Sequence, residues 1–109
     1  MVMKRRKPFD LIYAGAVREH LRYIERKYYS LIRETIEEQL AFEPDVETRN
    51  RKPLQRSMTF EEAWEIRFGP DNRFRVFYEI DHEAHAVNIL AVGVKQKNRL
   101  RIGGEEIRL

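Results

Sequence analysis

Three short runs of alternating apolar and polar residues, separated by turn chemistry, constrain this chain more than anything else in it. Trp64-Glu65-Ile66-Arg67-Phe68, then Arg73-Phe74-Arg75-Val76-Phe77-Tyr78-Glu79-Ile80, then Val87-Asn88-Ile89-Leu90-Ala91-Val92 read as consecutive β-strands. Gly69-Pro70-Asp71-Asn72 joins the first two, because proline presets φ and Gly and Asn tolerate positive φ. The polar link from Asp81 to His85 has hairpin length. Period-2 alternation places Trp64, Ile66, Phe68, Phe74, Val76, Tyr78 and Ile80 on one face. Glu65, Arg67, Arg73, Arg75, Phe77 and Glu79 then occupy the other. An antiparallel meander with one apolar face needs a cover, and the preceding segments supply it.

Phe9 to Ala14 reads as a first strand that pairs with the meander. From Val17 to Phe42 apolar residues recur at spacings of three and four, the helical period. A single helix over that span would be about 39 Å long, against a radius of gyration of about 13 Å expected for a domain of this size. A break near Glu25 to Tyr29 is therefore expected, giving two packed helices. Glu43-Pro44-Asp45 ends the second, since proline cannot continue it. A loop from Val46 to Thr59 follows, and Thr59-Phe60-Glu61-Glu62 reads as a short capped turn. The expected fold class is α+β, of order β-α-α-β-β-β. Two N-terminal helices pack on one face of a mostly antiparallel four-stranded sheet, in a single domain spanning residues 1–109. Lys97 to Gly104 lead to an ending, Glu105 to Leu109, that is left open between edge strand, helical turn and tail.

Composition narrows the function classes. The chain has no cysteine and three scattered histidines, so neither a disulfide framework nor a metal site is expected. No apolar run approaches the roughly 20 residues that span a bilayer, and a cytoplasmic protein without membrane association is expected. Net charge is only +3, yet three runs hold twelve of the 21 cations without an intervening acid. They are Lys4 to Lys7; Arg49, Arg51, Lys52 and Arg56; and Lys95, Lys97, Arg99 and Arg101. Such segregation suits a polyanion-binding surface.

Arginines on an open sheet face can grip phosphodiester oxygens with both arms of the guanidinium. Cleavage of RNA by a neighbouring 2′-hydroxyl further needs a base, charge stabilisation and an acid. Arg75 and Arg67 are the candidates for charge stabilisation, and Glu65, Glu79 or Lys95 for the base. Arg49, Arg51, Lys52, Arg56, Arg73, Lys97, Arg99 and Arg101 are candidate RNA contacts. His82 and His85 read as turn residues and His20 as structural. Phe77 shares the arginines' parity and is a candidate for base stacking, unless the sheet is buried on both faces.

Lys52-Pro53-Leu54, Trp64-Glu65-Ile66-Arg67-Phe68, Phe74-Arg75-Val76-Phe77-Tyr78-Glu79 and Leu90-Ala91-Val92-Gly93-Val94-Lys95 resemble the C-terminal half of the RelE/ParE superfamily of toxins from toxin–antitoxin modules. The resemblance implies a growth-arresting toxin neutralised by a cognate antitoxin protein. RelE-type members cut mRNA on the ribosome without a metal or cofactor, whereas ParE-type members inhibit DNA gyrase. It carries family roles onto Arg75, Arg67 and Lys95. Two positions depart from the RelE pattern, with Glu65 where a lysine stands and Arg101 where a tyrosine does. The leading expectation is a ribosome-dependent mRNA endonuclease; the alternatives are a gyrase-binding inhibitor and a degenerate toxin that binds only its antitoxin.

Overall fold

The structure is a computed structural model and describes residues 7–54 and 63–108. Arg56, the capped turn at 59–62 and the first cations of the N-terminal run lie outside the described residues. The elements are β1 (Asp10–Tyr13), α1 (Ala16–Leu21), α2 (Tyr29–Thr35), β2 (Arg51–Pro53), β3 (Trp64–Phe68), β4 (Phe74–Asp81), β5 (Ala86–Gln96), β6 (Arg99–Ile102) and β7 (Glu105–Ile107).

The helical segment breaks as its length demands. The chain leaves α1 through a turn to Glu25, whose ψ of 136° is extended, and re-enters through a 3₁₀ turn at Arg26–Tyr28. The Leu21 carbonyl at the end of α1 accepts from the Ile24 N–H at 3.0 Å and from the Tyr29 hydroxyl at 2.6 Å, which ties the start of α2 to the end of α1. A π-helical turn, Ile36–Leu40, closes α2. It begins where Thr35 Oγ1 donates back to the Leu31 carbonyl at 2.7 Å, a bond that perturbs regular helix.

All strands form one sheet in the order β2-β3-β4-β5-β6-β7, with β1 parallel to the first half of β5. The four expected strands are β1, β3, β4 and β5. Three short strands extend the same sheet beyond the expected four: β2 lies within the predicted loop, and β6 and β7 form the ending. Their origin is local. Lys97 and Asn98 (φ 51° and 64°), then Gly103 and Gly104 (φ 61° and 82°), make two successive two-residue turns with positive φ throughout, the geometry that matches strand twist. The meander turn also follows its residues, with Gly69, Asp71 and Asn72 at positive φ.

The β4–β5 register shifts between Phe77 and Tyr78, where Ala91 and Ile89 are the partners and Leu90 is the extra residue. That bulge keeps Ile89 and Val92 both on the helix side, although their spacing is odd. The main core packs Val17, Ile24, Ile32, Ile36 and Leu40 from the helical layer against Ile66, Phe74, Val76, Tyr78, Val87 and Val92 of the sheet. Tyr78 is fully buried and its hydroxyl donates to the Pro44 carbonyl at 2.6 Å, tying the post-helical loop to the central strand.

Between the end of β1 and the start of β6, one edge of β5 has no strand partner. His20 of α1 fills part of this gap, its Nδ1 accepting from the Val92 N–H at 3.3 Å. Burial lowers the His20 imidazole below its ordinary value, with Glu19 acting in the opposite direction.

Candidate functional site

On the sheet face away from the helices, register sets out the side chains. Arg67 lies directly across from Arg75, Arg75 from Gly93, and Gly93 from Ile102. One row along, Lys52 opposes Glu65 and Glu65 opposes Phe77. On the other side Lys95 opposes Leu100, which opposes Ile107. Gly93 is required by the close approach of β6, because a Cβ there would meet the Arg101 carbonyl oxygen and Ile102 Cγ1, each at 3.0 Å.

Phe77 does not reach solvent, which corrects its candidacy for base stacking. With Ala91 and Leu100 it forms a second small core, closed by Leu54, Ile102 and Ile107 from the two sheet margins. The curled sheet thus seals one part of its second face and confines the cations to the remainder. Two clefts open there. The first, of about 1210 Å³, is lined by Arg73, Arg75, Lys95, Lys97, Arg99 and Arg101 together with Asp71, Gln96 and Asn98. The second, of about 630 Å³, runs past Lys52, Glu65, Arg67 and Arg108 and shares Arg75, Lys95, Lys97, Asn98 and Arg99 with the first. Arg75 and Lys95 therefore sit where the clefts meet, with Arg67 beside them.

Arg75 is buried; its Nε donates to the Asn72 carbonyl at 3.1 Å and its Nη1 lies 3.6 Å from Glu65 Oε1. Burial pulls the guanidinium below its ordinary pKa, and the Glu65 carboxylate raises it again. Arg67 Nε donates to the same Glu65 oxygen at 2.7 Å. Glu65 is only 3% exposed, so it lies under the arginines rather than beside a bound molecule. This burial speaks against Glu65 as the general base. Arg73 bends toward the helical layer, with Nε donating to the Pro70 carbonyl at 3.2 Å and its guanidinium 6.0 Å from the Tyr28 ring.

Other candidates disperse. Arg51 is 3% exposed and points into the protein, which removes it from the candidate RNA contacts. Its guanidinium donates to the carbonyls of Glu43 and Val46 and to Gln39 Oε1, tying β2 to the end of the helical layer and the loop that follows it. Arg49 is exposed on the loop before β2 but lines neither cleft. Arg101 pairs with Val94 and so belongs by register to the helix side, yet it lines the first cleft where this wraps the end of the sheet. Glu79 accepts from Asn88 at 3.4 Å and lines neither cleft. His85 stacks on Phe9 at 3.8 Å between ring centroids, in the β4–β5 hairpin and outside both clefts. Arg108, Asn98 and Gln96 were not anticipated as lining residues. The two-residue turn at Lys97–Asn98 was the signal that would have placed the last two at a hairpin tip.

Among the described residues no three His, Asp or Glu side chains converge as metal ligands, and no helix is long and apolar enough to cross a membrane. No protein-family model and no curated protein matches the sequence. Among solved structures, a chain of the toxin–antitoxin complex RelBE2 from Mycobacterium tuberculosis is similar over 85% of this chain and 98% of its own length, with a TM-score of 0.68 and 25% sequence identity. With two N-terminal helices on one face of a mostly antiparallel sheet and a structural match over 85% of the chain, this protein has the fold of a RelE-like toxin.

Proposed function

We propose that this chain is the toxin of a type II toxin–antitoxin module and arrests translation by cutting messenger RNA on the ribosome. The observation that carries the reading is the meeting of two cation-lined clefts at Arg75 and Lys95, with Arg67 directly across from Arg75. An RNA strand bent over that junction presents a phosphate to the guanidinium groups of Arg75 and Arg67. These stabilise the charge that develops as the neighbouring 2′-hydroxyl attacks. Lys95, which lines both clefts, is the proposed group that exchanges a proton with the attacking or leaving oxygen. Lys52, Arg73, Lys97, Arg99 and Arg101 hold the flanking backbone. No metal or cofactor enters this scheme.

The partner is a cognate antitoxin whose acidic or amphipathic segment folds over the helices and the basic sheet face. Exposed Ile12, Tyr13, Tyr23 and Leu31 offer it apolar surface. The site of action is the cytoplasm, where ribosomes are. A second reading, a ParE-like inhibitor that binds gyrase, is favoured by one observation: among the described residues no aromatic side chain lines either cleft. Primer extension on mRNA in a purified translation reaction separates the two readings. Cuts that need ribosomes and vanish in Arg75→Ala support the endonuclease. A folded native chain that makes no cuts refutes it and directs the test to gyrase supercoiling.

A further inference from the structure

We infer that Glu65 is a positioning residue, one that holds Arg67 and Arg75 side by side as a single two-armed phosphate grip; the inference rests on the mRNA-cutting function proposed above. Arg67 and Arg75 are direct cross-strand partners, a placement in which two like charges repel. One oxygen relieves this. Glu65 Oε1 accepts from Arg67 Nε at 2.7 Å and lies 3.6 Å from Arg75 Nη1. Across the strands Glu65 has Lys52 of β2 on one side and the fully buried Phe77 of β4 on the other, and its Oε1 is the atom that meets both arginines. Asn72 fixes Arg75 from the opposite end through Nε.

The consequence is orientation. Arg67 is held through Nε by Glu65, and Arg75 through Nε by the Asn72 carbonyl with Nη1 3.6 Å from the same Glu65 oxygen. Both residues line the second cleft, where guanidinium groups so held can fork onto phosphate oxygens. Glu65 also tempers the grip, since one buried negative charge beneath two cations weakens attraction for a phosphate before reaction. It thereby gives up ground-state affinity for fixed geometry, and only interactions stronger in the transition state raise turnover.

The test is steady-state cleavage of ribosome-bound mRNA by wild type, Glu65→Gln and Glu65→Asp, alongside binding of a single-stranded RNA oligonucleotide at several salt concentrations. For Glu65→Gln, kcat falls on the order of 10- to 100-fold, the scale of a small misplacement of reacting groups. KM does not rise, because the grip gains one net positive charge, and the log–log salt slope steepens by up to about 0.7. Glu65→Asp keeps the charge but withdraws it by one methylene, so kcat falls while the salt slope stays at the wild-type value. An undiminished kcat in Glu65→Gln overturns the assignment. So does a fall in kcat that disappears when the rate is normalised to the folded fraction measured by circular dichroism, the signature of a merely structural role. Should Glu65→Gln fail to fold, Glu65→Asp decides, and full kcat there overturns the assignment. A wild-type chain that cuts no message refutes the function itself, and the assignment falls with it. A cutting wild type with an equally active variant sinks the assignment alone.

Discussion

Replacing Arg51 by alanine separates a structural arginine from a nucleic-acid contact. The side chain is 4% exposed, and its guanidinium spans Glu43, Val46 and Gln39, closing the end of α2 against β2. A hydrogen bond from a charged donor contributes about 1.5–3 kcal/mol, and Arg51 makes three. Several considerations hold the sum down. The Glu43 and Val46 carbonyls belong to exposed residues and rehydrate once the arginine is gone. The Glu43 carboxylate, 3.8 Å away, is on a side chain 61% exposed, so its ion pair adds little. Arg51 Nε also lacks a partner among the described residues, a desolvation cost that the alanine variant removes. The net loss is then about 2–4 kcal/mol. For a domain of this size that lowers the unfolding midpoint by about 10–20 °C. Arg51→Lys recovers only part, because an ammonium cannot reach three divergent acceptors. Thermal unfolding by circular dichroism measures the shift, and RNA binding is compared at a temperature where both variants are folded. A midpoint within about 2 °C of wild type, together with weaker RNA binding, would refute the reasoning and return Arg51 to the nucleic-acid surface.

Two further outcomes follow from buried polar groups. Tyr78→Phe leaves the Pro44 carbonyl as a buried acceptor without its donor and costs about 1–3 kcal/mol, read as a lower urea midpoint; burial raises the Tyr78 pKa, so in an alkaline absorbance titration its phenol ionises after those of exposed tyrosines. His20 sets a pH dependence: its folded pKa lies below the ordinary 6.5, so the unfolded chain takes up the proton first as pH falls. The stabilisation is complete above pH of about 7 and is lost as pH drops through about 6.5 toward the folded value. Protonation also removes the acceptor used by the Val92 N–H. Urea midpoints between pH 7 and 5 should decline more steeply in wild type than in His20→Gln, and equal slopes would exclude His20 as the source.

What could be read from the residues was whatever has a local period or a local turn chemistry. The alternation in β3 and β4 placed Ile66, Phe74, Val76 and Tyr78 in the core correctly, because a half-buried strand has no other way to satisfy both faces. The break in the helix followed from length alone, although the bond that accommodates it, from Tyr29 to Leu21, joins residues eight apart and leaves no pattern. Leu90 was not recognisable as a bulge because it is as apolar as its neighbours. The site was half legible. Arg67, Arg75 and Lys95 come together because strand parity and register bring them there. Arg51 shows the limit: its parity matches Ile66, on the core side, but a three-residue strand inside a polar loop has too few residues to display a period. Strand parity puts Phe77 and Glu65 on the arginines' face but leaves Phe77's burial open, since what covers it arrives from Leu54, Leu100 and Ile107 at distant points of the chain. Burial on a second face depends on sheet curl, and curl has no one-residue signature.

The interrupted edge of β5 divides the molecule in a way that its single sheet conceals. β1 uses only residues 86–89 of that strand and β6 only residues 93–96. The wall bearing Lys97, Arg99 and Arg108 is therefore fastened to the sheet through a four-residue seam, while the helices and β1 are anchored elsewhere. A change in that final hairpin alters the outline of both clefts and, through Leu100, Ile102 and Ile107, the small core over Phe77.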